Sequence, residues 1–231
     1  MVFDVVLYAT DEVVLNNIHV KRLAMKKSLD VLTLGSVVVL IALVMSGINP
    51  FDRVTWWMEV MPVLIGFPVL WLIRRGRSHF EFTQLVYVLI CAQALVLIVG
   101  GMYSYARVPL GFWLQDFFGL TRNPYDKIGH FMQGFVPAMV AREWLLRHKW
   151  VNGNGVASFV GICVALSVSL IYELIEWFAA LMLGQGAEEF LGTQGDIWDT
   201  QSDMLFALIG ACVAIVLLGR WHNRQIRQMV N

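Results

Sequence analysis

Charged residues are scarce in this chain of 231 residues. Asp, Glu, Lys and Arg make up 15% of it and hydrophobic residues 58%, with a mean hydropathy of +0.65. Because soluble globular domains carry roughly 25% charged residues, this composition predicts an integral membrane protein surrounded by the lipid bilayer. The 17 basic and 17 acidic residues cancel, which removes the basic field that a nucleic-acid-binding protein uses.

Cysteine and complete catalytic motifs are also lacking. The three cysteines, Cys91, Cys163 and Cys212, each lie within an apolar run without a second Cys or a His at ligand spacing. Neither a thiolate zinc site nor a disulfide framework is therefore expected. The chain has no Walker A loop, no G-x-S-x-G, no H-E-x-x-H and no dinucleotide fingerprint, so none of these established signatures assigns a reaction.

Long apolar runs are abundant. At about 1.5 Å per residue, a run of about 20 residues crosses a bilayer core of about 30 Å. The sequence predicts an all-α, polytopic membrane helix bundle with about six transmembrane helices. Their expected bounds are 31–48, 54–73, 82–103, 126–146, 156–183 and 203–219. The aromatic stretch 104–124 is expected to lie along the membrane interface.

The first 24 residues differ from the rest. Asp4, Asp11 and Glu12 interrupt every apolar run in 1–24, so this segment is neither a signal peptide nor a span. We expect it to be disordered or an extension upstream of the true start, since Met25 precedes two lysines and the first long apolar run. Residues 25–231 show no internal repeat and are expected to form one membrane-embedded domain. An oligomeric state is not predicted.

The basic residues indicate how the chain lies in the membrane. Most of them flank the first span, follow the second and fourth, or lie in the tail; the exceptions are Arg53, Arg107, Arg122 and Lys127. Because basic loops stay on the cytoplasmic side, we expect both termini to be cytoplasmic in a bacterial inner membrane.

The fourth expected span carries polar residues on one helix face. Asp126, His130 and Gln133 are spaced by four and three residues, which aligns them in a helix. Ionisable residues within a span indicate function by default. At the other end, Arg142 and Glu143 are expected to reach cytoplasmic water along their own side chains, and Lys127 is expected to be interfacial.

Further acidic residues follow in the fifth span and the loop after it. Glu173 and Glu176 are one turn apart, so each carboxylate needs a proton, a cation or a basic partner. An outer-facing pocket can therefore combine catalytic His130, Asp126, Glu173 and Glu176 with a divalent cation, Mg²⁺ or Mn²⁺. The expected metal ligands are Glu173, Glu176, Asp196, Asp199 and Asp203. The expected substrate-binding residues are Gln133, Gln194, Gln201 and Trp177. The competing interpretation for Asp126 and Asp203 is capping of helix starts.

These motifs resemble a known family. The segments YDKIGHF (125–131), YELIEW (172–177) and FLGTQGDIWDTQSDM (190–204) are similar to those of the YjdF-like family of bacterial inner-membrane proteins, a domain of unknown function. The resemblance implies a location and a membrane fold, but no activity. More distantly, Asp126, Lys127, His130 and Phe131, with Glu176, Asp203 and Gly210, resemble the VanZ-like membrane proteins. Ala207 departs from that pattern, in which Asn is usual.

Three functions are compatible with the sequence. The first is an enzyme that hydrolyses or transfers a lipid-linked or cell-envelope substrate at the outer face with help from a metal ion. The second is a binding or transport protein for a cation or a cationic compound. The third is a structural role, in which the charges hold the ends of the helices together without catalysis.

Overall fold

The structure is a computed structural model that describes residues 31–76, 79–183 and 193–230, and in these ranges it contains helices and no strand. The expectations for residues 1–24 and for a start at Met25 lie outside the described residues. The helices are α1 (Val31–Ile48), α2 (Arg53–Arg75), α3 (Gln84–Tyr103), α4 (Pro109–Phe118), α5 (Tyr125–Arg147), α6 (Asn154–Leu183) and α7 (Asp199–Val230).

The helix ends follow from local chemistry. The Asp52 carboxylate accepts a hydrogen bond from the Thr55 N–H at 2.7 Å and caps α2, and that bond holds the pKa of Asp52 below its usual range. Pro109 begins α4, where a missing N–H costs nothing, and Gly119, with φ +62°, ends it. α7 begins four residues before the expected span, so Asp203 lies inside the helix and its interpretation as a helix-start residue is wrong.

Six long helices alternate in direction. The start of α3 meets the end of α5, where Glu143 accepts from Thr83, and the start of α6 also meets the end of α5, where Arg142 donates to Ser158. α7 returns parallel to α5. Among the described helices, all of these except α5 are long and apolar enough to cross a membrane. The helical membrane-bundle prediction is confirmed.

α5 has the length of a span but lies at the centre of the bundle, against α3, α6 and α7. Its buried polar residues face protein instead of lipid, so the helix does not need an apolar surface. α1 is peripheral, and Leu34 and Ile48 on it are 67% and 73% exposed. Such apolar exposure is expected where a helix faces hydrocarbon.

The backbones of α5 and α7 touch in the first half of each helix. A Cβ atom added at Gly134 would overlap the carbonyl oxygen of Ala207, and one added at Gly210 would overlap that of Phe131. Small residues at a membrane helix interface permit such close approach. Ala138, which is fully buried, continues the contact toward the end of α5.

The expectation that Arg142 and Glu143 reach water is wrong. They are 1% and 0% exposed, and their partners come from α3, α5, α6 and α7. Arg142 donates to Ser158, Asn154, His222 and Asn223. Glu143 accepts from Thr83, Arg147 and His222. We call this set the Arg142 network.

The Arg142 network determines the proton position on His222. A guanidinium group only donates hydrogen bonds, so His222 Nδ1, 2.9 Å from Arg142 Nη1, is the acceptor. Nε2 then carries the hydrogen and donates to Glu143 Oε2 at 2.9 Å. The sequence analysis missed this partner because His222 stands in the polar tail, beyond the expected sixth span.

We expect Gly210→Ala to destabilise the protein by about 1–3 kcal/mol or more, because the added methyl group overlaps backbone that cannot move independently. Gly219→Ala in the same helix is the matched control, since a Cβ there meets nothing within 4 Å. The control is expected to be neutral or to gain up to about 1 kcal/mol from helix propensity. Thermal unfolding in one detergent measures both variants, and equal behaviour would contradict the proposed contact.

Candidate functional site

His130 is the centre of a buried polar group formed by α5, α6 and α7. Its ring is held on one side, where Nδ1 lies 3.1 Å from Gln133 Oε1 and 3.6 Å from Glu173 Oε1. The Gln133 oxygen only accepts hydrogen bonds, so Nδ1 carries the hydrogen. His130, Gln133 and Glu173 are each 6% exposed.

The other ring nitrogen of His130 faces two carboxylates. Nε2 lies 3.4 Å from Asp126 Oδ1 and 3.8 Å from Asp203 Oδ1. Ligand atoms of Asp126, His130 and Asp203 all lie within 4.8 Å of one another. This group combines Asp126 and His130 from the first two turns of α5 with Asp203 from the start of α7.

Lys127 lies between the acidic residues of α7. Its Nζ is 2.7 Å from Asp199 Oδ1 and 2.5 Å from Asp203 Oδ1, and the residue is 9% exposed. The charge of Lys127 is therefore used inside the protein, and its expected position at the membrane interface stays a prediction. The nearby Arg122 pairs with Asp199 at 2.7 Å and with Asp196 at 3.1 Å. We call Arg122, Asp126, Lys127, His130, Glu173, Asp199 and Asp203 the Asp–His cluster.

Acidic groups outnumber fixed positive charges in this cluster. Among the described residues, the basic partners of Asp126, Glu173, Asp199 and Asp203 are Lys127 and Arg122, together with the ionisable His130. Two buried oxygens, Asp126 Oδ2 and Glu173 Oε1, have no hydrogen-bond partner among the described residues. Lys127 Nζ lies 3.6 Å from Asp126 Oδ2, and His130 Nδ1 lies 3.6 Å from Glu173 Oε1. Buried polar atoms are normally paired, so each oxygen keeps the capacity to bind a proton, a cation or a ligand group.

Arg122 lies outside the spans, in the connection before α5. Burial acts to lower its pKa, but the hydrogen bond and charge of Asp199, together with the charge of Asp196, outweigh burial and raise the pKa above the usual value. Its guanidinium group is a fixed positive charge at the rim of the cluster.

The remaining predicted site residues lie around the cluster or away from it. Asp196 is at its edge through Arg122. Glu176 is partly exposed, one turn beyond Glu173. Gln194 accepts from the Asn123 N–H at 3.1 Å and donates to the Asn123 carbonyl at 3.0 Å, so it holds the α4–α5 connection. Gln201 and Trp177 are exposed and lie outside the cluster.

Sequence reasoning missed a further buried acid beside this site. Glu59 of α2 is 5% exposed, and the Tyr172 hydroxyl of α6 donates to its Oε2 at 2.9 Å. The available signal was a single carboxylate within the apolar run of the second span, which is costly in lipid. Tyr172 precedes Glu173, so the two acids lie at neighbouring positions of the bundle.

An apolar cavity adjoins the cluster between α4, α5 and α7. Its volume is about 560 Å³, and its lining includes Leu114, Phe118, Phe131 and Phe206. Lys127 and Arg122 line the same cavity and belong to the Asp–His cluster. We call it the α4 groove.

Long alternating helices around buried ionisable residues define a multi-pass integral membrane protein. Residues 31–224 match the family described as "Predicted membrane protein (DUF2238)", and the chain belongs to that family. It is 50% identical to "Inner membrane protein YjdF" of Escherichia coli (strain K12) over 198 residues, which cover 86% of this chain and 93% of that protein.

These comparisons confirm the family resemblance and the location in the inner membrane. No solved structure matches the chain. The distant likeness to VanZ-like proteins, the cytoplasmic position of both termini and the roles of the site residues stay predictions.

We expect Lys127→Met to cost about 3–5 kcal/mol, because it leaves the buried Asp203 carboxylate without its ammonium partner, whereas Asp199 keeps its ion pair with Arg122. Adding Asp203→Asn removes that unpaired charge and should restore part of the loss. Lys149→Met, an exposed position, is the matched control and should change stability by less than about 0.5 kcal/mol. Thermal unfolding is measured for the wild type, the two single variants and the double variant. Unchanged stability of Lys127→Met would contradict the buried ion pair.

Proposed function

We propose that this chain is a metal-assisted hydrolase or transferase that acts on a lipid-linked substrate of the cell envelope. The main support for this proposal is the arrangement of the His130 ring. Its Nε2 faces Asp126 and Asp203, and its Nδ1 is hydrogen-bonded to Gln133. Metal-ligating histidines in proteins have this form, with the second ring nitrogen donating to an oxygen.

The donor set supports a divalent cation. Two carboxylates and one imidazole suit Mn²⁺ better than Mg²⁺, because Mg²⁺ prefers oxygen ligands. Of the ligands expected from sequence, Asp203 is retained in this proposal. Asp199 and Asp196 are instead engaged by Lys127 and Arg122, and Asp126 and His130 take their place.

The charge balance supports the same conclusion. Lys127 and Arg122 leave the carboxylates of the cluster in excess, and a buried excess of negative charge has to be offset. A divalent ion beside Asp126 and Asp203 would offset it. Asp203 Oδ1 already accepts from Lys127, but a carboxylate oxygen has a second lone pair for another partner.

The residues around this position fit hydrolysis or transfer. A divalent ion held by Asp126, His130 and Asp203 would supply a bound water that loses a proton more readily than free water. Asp126 Oδ2 would be a suitable proton acceptor, because it lies 3.6 Å from Lys127 Nζ and has no hydrogen-bond partner in the described part of the chain. Lys127 and Arg122 stabilise negative charge that develops on the substrate. Glu173 and Gln133 act through His130 by fixing the orientation of its ring.

The packing below the cluster favours this function over transport. Gly134, Ala207 and Gly210 bring the α5 and α7 backbones into contact, and Ala138 and Ala211 beyond them are fully buried. A polar route along this interface would need to cross that apolar layer. A binding site confined to the Asp–His cluster does not need such a route.

We expect the purified protein to bind one Mn²⁺ per chain, detected by loss of the free-ion electron paramagnetic resonance signal. His130→Gln and Asp203→Asn should each weaken binding by about 10–100-fold or more, since losing even an outer-shell partner has that effect. Asp116→Asn is the matched control because Asp116 is exposed on α4, outside the cluster.

Two outcomes would contradict the metal site: no Mn²⁺ binding at millimolar concentration, or unchanged binding in both cluster variants. Turnover is measured separately by incubating the protein with total bacterial membrane lipids and Mn²⁺ and following lipid masses. Species altered by the wild type should stay unchanged with His130→Gln or with a chelator. If no species changes with the wild type, the catalytic proposal fails.

A further inference from the structure

We infer that the α4 groove binds a lipid with a phosphate head group, with the hydrocarbon chain between α4, α5 and α7 and the phosphate against Arg122 and Lys127. This inference names the substrate class of the proposed function and rests on it for the reaction. Binding itself is measurable without turnover.

The body of the α4 groove fits a hydrocarbon chain. Leu114 and Phe118 of α4 form one wall, Phe131 of α5 another, and Phe206 of α7 a third. A volume of about 560 Å³ lies within the range of about 300–1,000 Å³ that is usual for ligand sites. Phe118 is 64% exposed, so the groove is open on the α4 side, where a membrane lipid can enter from the bilayer.

At the head of the groove, Arg122 and Lys127 belong to the lining and no described Asp or Glu does. Arg122 also keeps hydrogen-bond donors that no described residue uses. Arg122 uses Nη1 for Asp199 and the Thr193 carbonyl and Nη2 for Asp196. A guanidinium group has five N–H donors, so the planar group keeps donors for two oxygens of a phosphate. Lys127 reaches the same cavity from the cluster side.

A phosphate at this position would lie next to the proposed ion. Lys127 contacts Asp203 at 2.5 Å, and Asp203 is one of the proposed metal ligands, so head group and ion are separated by a single side chain. Arg, Lys and a divalent cation together are a recurrent arrangement for stabilising charge on phosphoryl groups. The α4 groove would thus bind the hydrocarbon chain of the lipid, and the Asp–His cluster would bind its phosphate head group.

The test uses dioleoyl phosphatidic acid as the probe and protein purified in a mild detergent, with bound lipid measured by native mass spectrometry. Dioleoylglycerol, which lacks the phosphate, and glycerol 3-phosphate, which lacks the chains, separate the two parts of the site. We expect retention of phosphatidic acid, weak retention of dioleoylglycerol, and no competition by glycerol 3-phosphate at equal concentration.

Leu114→Trp and Leu120→Trp, at two positions of the lining, should each reduce retention about tenfold or more, because methylenes kept out of the groove lose their burial. Leu110→Trp is the matched control, one turn earlier on α4 and outside the lining. Unchanged melting temperatures establish that the variants are folded.

Equal retention of dioleoylglycerol and phosphatidic acid, effective competition by glycerol 3-phosphate, or equal retention in all three tryptophan variants would overturn the inference. The proposed reaction is judged on different results. If phosphatidic acid binds as expected and no membrane lipid is converted with Mn²⁺ present, the groove stands and the catalytic proposal falls.

Discussion

The direct contact between the backbones of α5 and α7 is the constraint on which the rest of this structure depends. Gly134 against Ala207 and Gly210 against Phe131 fix both the separation and the register of the two helices. Because α5 and α7 are parallel, that register brings Asp203 to Lys127 at one end and His222 to Glu143 at the other. A larger side chain at the contact would separate both groups of charges together.

The two groups of buried charges differ in how completely they are paired. In the Arg142 network, Arg142 and Glu143 each have several partners drawn from different helices, which is typical of a network that stabilises a fold. The Asp–His cluster has an excess of carboxylates and leaves Asp126 Oδ2 and Glu173 Oε1 without hydrogen bonds in the described part of the chain. Of the two, the incompletely paired group is the better candidate for binding a ligand.

The membrane fold and the common face of Asp126, His130 and Gln133 could be predicted from the sequence, because apolar run length and helical spacing are local properties. The burial of Arg142 and Glu143 could not, since a polar residue near the end of a span has the same local pattern whether it faces water or another helix. The partners of Lys127 depend on the register of α5 against α7. The α4 groove depends on three separate helices, so no single segment carries a signal for it.

The central position of α5 also constrains how the protein is made. On insertion scales, placing an Asp, Lys or Arg near the middle of a helix into the membrane costs about 2.5–3.5 kcal/mol. Residues near the helix ends cost less. In α5 the charged residues include Asp126 and Lys127 near the start and Arg142 and Glu143 toward the end. Among the described long helices, α5 alone is not apolar enough to cross a membrane by composition. During biosynthesis, transfer of α5 from the translocon into lipid is therefore unfavourable before its partner helices have been synthesised. Its stable integration has to be cooperative, with α6 and α7 supplying the surfaces that the isolated segment lacks.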